Sequence, residues 1–584
     1  MTRPPTALAA LLLALLAATA RGQEPAGGGP GRIQFHGKTA AVGAGFGWGA
    51  STLEFQGKTY PVRVDGFVLG AVGAAALEAS GTVTGLTKAE DLNGDFTAVS
   101  TGVTVGEGVQ KLLMRNDKGV RIVMDGTSSG FQLGLGPRGI TLTVGEAGGP
   151  PADEHARLPQ TLGFGEMQWG HFYLEPTLNA QLYFPVYSNP GFGGQWSFGP
   201  VERAGLWFEH SNEEGLNARY VLGDEGKYGT VTARVSGLFS MTTSQPDGPV
   251  CNTHGTTSSY SLESLYGDWK SGDLFPSLGH NALEISGGNQ NYQVFDGLMF
   301  WDGGQDCSGR GANWLSARKA FKATAIAKLT LKDGLTLEAF HLKYNDHPST
   351  DTELFGERME WATDDFYMKH LKVGFMYFHI YNSRNVARDG MNGAYFYNEA
   401  NPFPFLPDFS YKASFVRETN SGLPAGYGWY AGVAYEFSKV GWTPKIGYRY
   451  ASFSEHYDGL FTGLPDWGSW FQGEILGEYV LSNNNLLSHQ FRLTLKPTER
   501  VTTNLIYYHF LLDNRNQPFS ITQPLAVSSR ALADEVDLIF DVTMTNWWSI
   551  TATLAMANPN KAFTQAVNGS GTWVGGYVYM NFNF

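Results

Sequence analysis

Cysteine is almost absent: Cys251 and Cys307 are the only two in 584 residues. Two thiols are too few for a thiol-ligated metal centre, and their spacing is not that of a C-x-x-C redox pair. Charge is scarce as well, at 16% of residues against roughly 25% in typical soluble proteins. What charge there is leans acidic: 41 Lys and Arg against 54 Asp and Glu, a net charge of −13, which argues against a nucleic-acid partner. Past the N-terminus there is no run of about 20 apolar residues, so no transmembrane helix is available. No H-E-x-x-H and no phosphate-binding loop occurs, and the histidines are scattered (His171, His210, His341, His379, His509). No catalytic residues, cofactor or metal are therefore expected, and the chain is read as a non-enzyme.

What is present is glycine (74 residues), aromatics (14%) and strict alternation. In Thr572–Phe584, Val574, Val578, Met580, Phe582 and Phe584 share one face, and Trp573, Tyr577, Tyr579, Asn581 and Asn583 the other. That is the pattern of a closing strand of an outer-membrane β-barrel, apolar to lipid and polar to the lumen. A terminal Phe is what such barrels present to the barrel assembly machinery, an expected partner. The N-terminus fits this compartment. Arg3, the apolar run Ala7–Ala18 and Ala18-Thr19-Ala20 read as a signal peptide over 1–20. Export to an oxidising compartment also makes Cys251 and Cys307 a disulfide candidate.

A leader over 21–31 precedes a Gly-rich, short-stranded stretch over 32–144, read as a small periplasmic β-domain. Three pairs of β-type runs mark it: Thr52–Phe55 with Tyr60–Val64, Lys111–Arg115 with Val120–Met124, and Phe131–Leu135 with Ile140–Val144. Gly or Asn punctuates each pair. The run Gly43–Gly49 lacks a following helix, so it reads as structural glycines in a curved sheet rather than a nucleotide loop. Gly81-Thr82-Val83-Thr84-Gly85-Leu86 and Gly102–Gly106 resemble the small SYLF-type lipid-binding β-domains. A linker over 145–157 follows.

From 158 to 584 the alternation predicts an all-β chain: a transmembrane antiparallel barrel of about 18 strands, with 16 as the alternative. The strands are expected near 170, 181, 206, 219, 235, 263, 286, 324, 339, 374, 413, 431, 448, 491, 506, 538, 552 and 578. Short turns such as Lys332-Asp333-Gly334, Ser438–Pro444, Lys496–Arg500 and Thr545–Trp547 alternate with long loops over 345–364, 454–485, 513–531 and 557–571. That asymmetry assigns turns to the periplasm and loops to the outside. The segment 382–408 breaks the rule and is read as a long periplasmic turn able to fold up into the pore. Glu474 and Glu478, four apart, are read as a solvated pair on a helical loop segment.

A barrel of this size leaves an aqueous channel. Opposite the apolar faces stand Arg219, Arg234, Lys322, Lys328, Lys412, Lys445, Arg449 and Arg492, with Glu436, Asp537 and Asp541 among them. On the lipid face such cations would each cost about 2–4 kcal/mol, so these residues are assigned to the lumen, where cations favour anionic solutes. The segments Gly287–Tyr292, Asp296-Gly297, Gly311–Trp314, Ala317–Phe321, Gly447–Ser454, Trp470–Tyr479 and Leu505–Tyr508 resemble outer-membrane channels of the alginate-export type. The resemblance implies an 18-stranded monomeric barrel with an Arg/Lys-lined lumen that passes an anionic polysaccharide and is occluded by loops and a periplasmic turn. The expectation is thus a channel for small or polymeric, anionic solutes in the outer membrane, contacting its lipid. The alternative is a structural or adhesive barrel whose N-terminal domain binds a periplasmic partner or lipid.

Overall fold

The computed structural model describes residues 31–39, 42–72, 76–100, 109–116, 118–127, 131–135, 140–145, 166–194, 204–223, 226–243, 256–304, 309–364, 367–463, 472–498, 500–517, 526–545 and 547–584. Residues 1–20, read above as a signal peptide, both cysteines and most of 145–157 fall outside these residues. Two separate antiparallel sheets account for the strands.

The first sheet runs from Gly31–Thr39 to Ile140–Val144 and has nine strands among the described residues. Eight of them pair in a closed cycle. Its core gathers Ile33, Leu53, Val62, Val83, Phe96, Met114, Ile122 and Leu142, all fully buried. The first expected hairpin forms with a two-residue turn at Gln56 and Gly57, both at positive φ, the backbone that matches strand twist. The second forms too. The third does not: Phe131–Leu135 and Ile140–Val144 both lie against Lys58–Val72 instead of each other. The Gly43–Gly49 run sits inside the strand Val42–Phe55, where the register shifts between Gly47 and Gly49, consistent with a bulge in a strongly bent strand.

The second sheet is a closed barrel. Among the described residues it has twenty strands; two are three-residue pieces, Met167–Trp169 and Ala204–Leu206, which leaves eighteen staves. The last, Trp573–Asn583, pairs with the first, Phe172–Ser188, from Asn179↔Asn583 to Ser188↔Val574. The terminal residue is clamped as well, Phe584 and Leu178 exchanging backbone hydrogen bonds of 2.8 and 3.0 Å. The wall thus closes on itself between its first and last staves, as hydrocarbon demands of any spanning sheet.

The count of eighteen agrees with the sequence reading through offsetting differences. Positions 170 and 181 fall in or beside one stave, Phe172–Ser188, and 206 and 219 both belong to the stretch ending in Phe208–Val221. Two staves lie where loops were expected: Glu353–Thr363 and Asn392–Asn401. With these in place the direction of the chain corrects itself. The segment 383–391 joins Lys369–Asn382 to Asn392–Asn401 at the same end as the other long loops, so 382–408 is not an upturned periplasmic plug. The short turns such as Lys332-Asp333-Gly334 now sit at one end of the barrel with the C-terminus, and the longest loops at the other, although 271–282 at the first end outruns 420–425 at the second; we call these the turn end and the loop end.

The outer surface is apolar. Val231, Val235, Ile285, Leu337, Val373, Phe415, Val433, Ile446, Phe491, Leu505 and Val536 are exposed on it. Aromatics gather at the turn end: Trp547 stacks on Phe584 at 5.3 Å and Trp548 on Phe582 at 5.8 Å. Soluble monomers rarely expose contiguous apolar patches beyond a few hundred Å²; a belt bordered by aromatics is what lipid selects. No helix among the described residues is long and apolar enough to cross a membrane.

Candidate functional site

The lumen is the concave feature that the fold creates, and alternation decides what lines it. In the closing strand Trp573 is fully buried inside while Val574 is 41% exposed outside, the two faces read from the sequence. By the same alternation Arg219, Arg234, Lys328, Lys412, Lys445, Arg449, Arg492, Glu436, Asp537 and Asp541 stand on the inner face. Lys322 differs: it is exposed near the loop end, beside a register shift between Gly288 and Gln290.

Toward the turn end these cations meet carboxylates. Arg219 pairs with Glu166 at 2.7 Å, its guanidinium 3.9 Å from the Tyr173 ring. Arg234 binds Glu213 and Asn217, both at 2.9 Å. Lys328 faces Glu284 at 3.4 Å. Lys445 stands in register with Glu436. Lys412 and Arg449 lie over the rings of Tyr397 and Tyr430. Arg492 donates to Asn504 at 3.1 Å, and Thr551 donates to Asp541 at 2.7 Å. Two further cations were not singled out from the sequence: Arg358, on the missed stave Glu353–Thr363, bound to Glu338 at 3.0 Å and Glu360 at 3.5 Å, and Lys372, on the stave expected near 374, bound to Glu399 at 2.9 Å. The inner wall is a mosaic of ion pairs rather than a positive surface.

Toward the loop end the lumen is filled. The described residues of two segments, 291–304 with 309–320 and 454–463 with 472–485, fold inward and join through backbone hydrogen bonds: Phe461 N–H to Met299 at 3.1 Å, and Trp301 N–H to Phe461 at 2.9 Å. Phe461 packs on Phe300 at 5.4 Å, Phe321 at 5.3 Å and Tyr344 at 4.4 Å. Trp314 meets Tyr479 at 4.7 Å. These residues share one apolar core with inward-facing wall residues such as Tyr183, Phe340, Met376, Phe378, Tyr508 and Tyr577.

What holds the loops is a set of wall carboxylates. Glu209 accepts the N–H of Leu315 at 3.0 Å. Glu263 accepts those of Lys319 and Ala320 at 2.7 and 2.8 Å. Glu535 accepts those of Ile475 and Leu476 at 2.7 and 2.9 Å, and Asp537 that of Glu474 at 3.2 Å. In return the loop residue Asp296 accepts the hydroxyls of Tyr395 and Tyr430 on the wall. A carboxylate that receives two backbone N–H groups satisfies donors that an irregular buried loop could not otherwise pair. Alternation assigns Asp537 to the inner wall; it does not tell a solvated wall acid from a loop clasp, because the partner is a backbone N–H distant in sequence.

Glu474 and Glu478 are not solvated. Both are buried, taking hydroxyls from Tyr577 and Tyr183 at 2.6 Å each. Burial pushes the Glu478 carboxyl well above the usual carboxylate range, and the neighbouring Glu474, Glu209 and Glu535 push it further.

Among solved structures the chain is similar, at low identity, to the following proteins, among others. Pseudomonas aeruginosa opdK shares 11% identity over 70% of this chain and 98% of that one, with a TM-score of 0.46. Pseudomonas aeruginosa OccK2 (OpdF) shares 11% over 70% and 97%, with a TM-score of 0.45. Pseudomonas putida OprB at high pH shares 10% over 70% and 94%, with a TM-score of 0.37. No protein-family model and no curated protein matches the chain.

Proposed function

We propose that this protein is an outer-membrane channel for small polar solutes, a barrel whose passage is narrowed by two inward loops and lined below them by ion pairs. The observation that carries this reading is the combination of a closed eighteen-stave wall, an apolar outer belt and a polar inner face. A barrel of this circumference leaves room for water unless loops fill it, and here the described loop residues enter from the loop end, with Tyr292 reaching Glu338 beside the Arg358 ion pair. Residues 1–20 would direct export, 32–144 would lie in the periplasm, and 158–584 would insert in the membrane. The turn end would then face the periplasm and the loop end the outside, with Cys251 and Cys307 in loops on that outer surface.

Preference for anions, and an acidic polysaccharide as cargo, would need cations without carboxylate partners along the lumen. Arg219, Arg234, Lys328, Arg358 and Lys372 each stand against a carboxylate, so weak charge selectivity is expected. Purified protein in planar bilayers should show discrete conductance steps with a reversal potential near zero in a salt gradient. R234Q, which strips Glu213 of its partner, should move that potential toward cation selectivity. Absence of conducting steps would overturn the channel; strong anion selectivity that survives R234Q would overturn the balanced lumen.

A further inference from the structure

A cavity of about 690 Å³ opens at the loop end, between the segments 418–426 and 455–463 with 472–486 behind them. Its volume is in the range that holds a small organic solute. The chemistry of its lining is one-sided. Glu418, Glu455 and Asp458 contribute to it, with the amides Asn420, Asn483 and Asn484, and the described lining contains neither Lys nor Arg.

Two of the three carboxylates are engaged. Arg388 grips Asp458 through two hydrogen bonds of 2.6 and 2.8 Å. Glu455 takes the Asn514 amide and lies 3.2 Å from His456. Glu418 is different. Only 2% exposed, it accepts the Asp458 N–H at 2.8 Å on one oxygen, while its Oε1 is buried with no hydrogen-bond partner. The hydroxyl of Thr462, which also lines the cavity, is buried without a partner too. A buried polar atom left unpaired is costly, and such atoms in a folded protein call for an explanation.

We infer that this cavity is a capture site for solutes bearing an ammonium group, with Glu418 Oε1 and Thr462 Oγ1 as its acceptors. An ammonium carries three donors and no acceptor, so it can donate to either atom and brings a countercharge to Glu418. A carboxylate-bearing solute would bring a like charge against Glu418 and Glu455, whereas Asp458 is already paired with Arg388. A neutral polyol could donate to the same atoms but would gain nothing from the charge.

The inference rests on the channel reading only for what happens to the solute after capture. Isothermal titration of the detergent-solubilised full-length protein with L-lysine amide, glucose and glucuronate tests the site separately from conductance. L-lysine amide should bind, glucuronate should not, and glucose should bind more weakly than the amide. E418Q should weaken L-lysine amide binding about tenfold or more, as expected for loss of a charged hydrogen bond. T462V should weaken it less. Both variants should keep the heat-modifiable gel mobility of the folded barrel; if E418Q does not fold, T462V decides. Glucose or glucuronate binding as tightly as the amide, no heat with the amide, or unchanged affinity in the variants would overturn the site. Binding of the amide by a protein that conducts nothing would sink the channel and leave the site standing.

Discussion

Removing Glu535 should loosen the inward segment 472–485 without breaking the barrel. In Glu535→Ala two N–H groups, those of Ile475 and Leu476, lose acceptors at 2.7 and 2.9 Å. Both residues are fully buried, so water does not replace the carboxylate, and each orphaned donor costs about 1–3 kcal/mol. The loop would thus lose about 2–6 kcal/mol of anchoring. Burial of the Ile475 and Leu476 side chains is worth a similar amount, about 3–6 kcal/mol together, so the loop should fluctuate rather than leave. At the low end a 2 kcal/mol loss is roughly a 30-fold rise in the open population. One effect opposes this: Asp537 and Glu474 are close to Glu535, and its removal relieves like-charge repulsion. The two satisfied donors should outweigh that relief, because they are lost outright while Asp537 and Glu474 keep hydrogen bonds from the Glu474 N–H and the Tyr577 hydroxyl. Single-channel recordings should then show more frequent high-conductance excursions in E535A than in wild type. E535Q, which retains one amide oxygen as acceptor, should fall between them. Limited proteolysis within 472–485 should rise in the same order. A quieter, less conducting channel in E535A would show that repulsion dominates and that the carboxylate is no clasp.

Two other outcomes follow from the same geometry. The Glu478 carboxyl is pushed up in the closed loop by burial and by Glu474, Glu209 and Glu535. The closed state therefore holds a proton that a freed loop would release, so closure is favoured at low pH and weakens as pH rises above the ordinary carboxylate range. Excursions should be rarer at pH 5 than at pH 8, and E478Q should flatten that dependence; the opposite slope would refute it. Val536→Arg places a cation on the exposed outer belt and should cost about 2–4 kcal/mol of barrel stability, whereas V536L should be neutral. Denaturant midpoints read by heat-modifiable mobility check this, and a fully stable V536R would deny lipid contact on that face.

How much of this was legible in the sequence depends on what each strand's inner face touches. Where the lumen side is polar or small, as in Trp548–Pro559 or Ala531–Thr543, alternation is clean and the stave is visible. It fails at Asn392–Asn401, whose inner Tyr395 and Tyr397 pack on inward loops, so that Tyr395-Phe396-Tyr397 reads as an unbroken aromatic run. It fails at Glu353–Thr363 for a different reason: Glu357 is exposed between Phe355 and Met359, and Arg358 and Glu360 give the segment the charge density of a loop. Each missed stave reversed the apparent direction of the chain, and the supposed plug at 382–408 arose from the first reversal.

The clasps were invisible for a deeper reason. A stave announces itself through neighbours two residues away, but the partner of Glu535 lies 59 and 60 residues off and that of Glu209 lies 106 off. Both partners are backbone groups with no side-chain signature. Part of the acidic bias that the sequence shows gains a cause here. Irregular loops buried in a barrel present N–H groups that must be paired, and wall carboxylates supply the acceptors. A loop-filled barrel should therefore carry more inner-wall acids than its cations require, and Glu209, Glu263, Glu535 and Asp537 are such a surplus. Charge read from composition alone would assign these four acids to the permeating solute; in this chain they hold the loops.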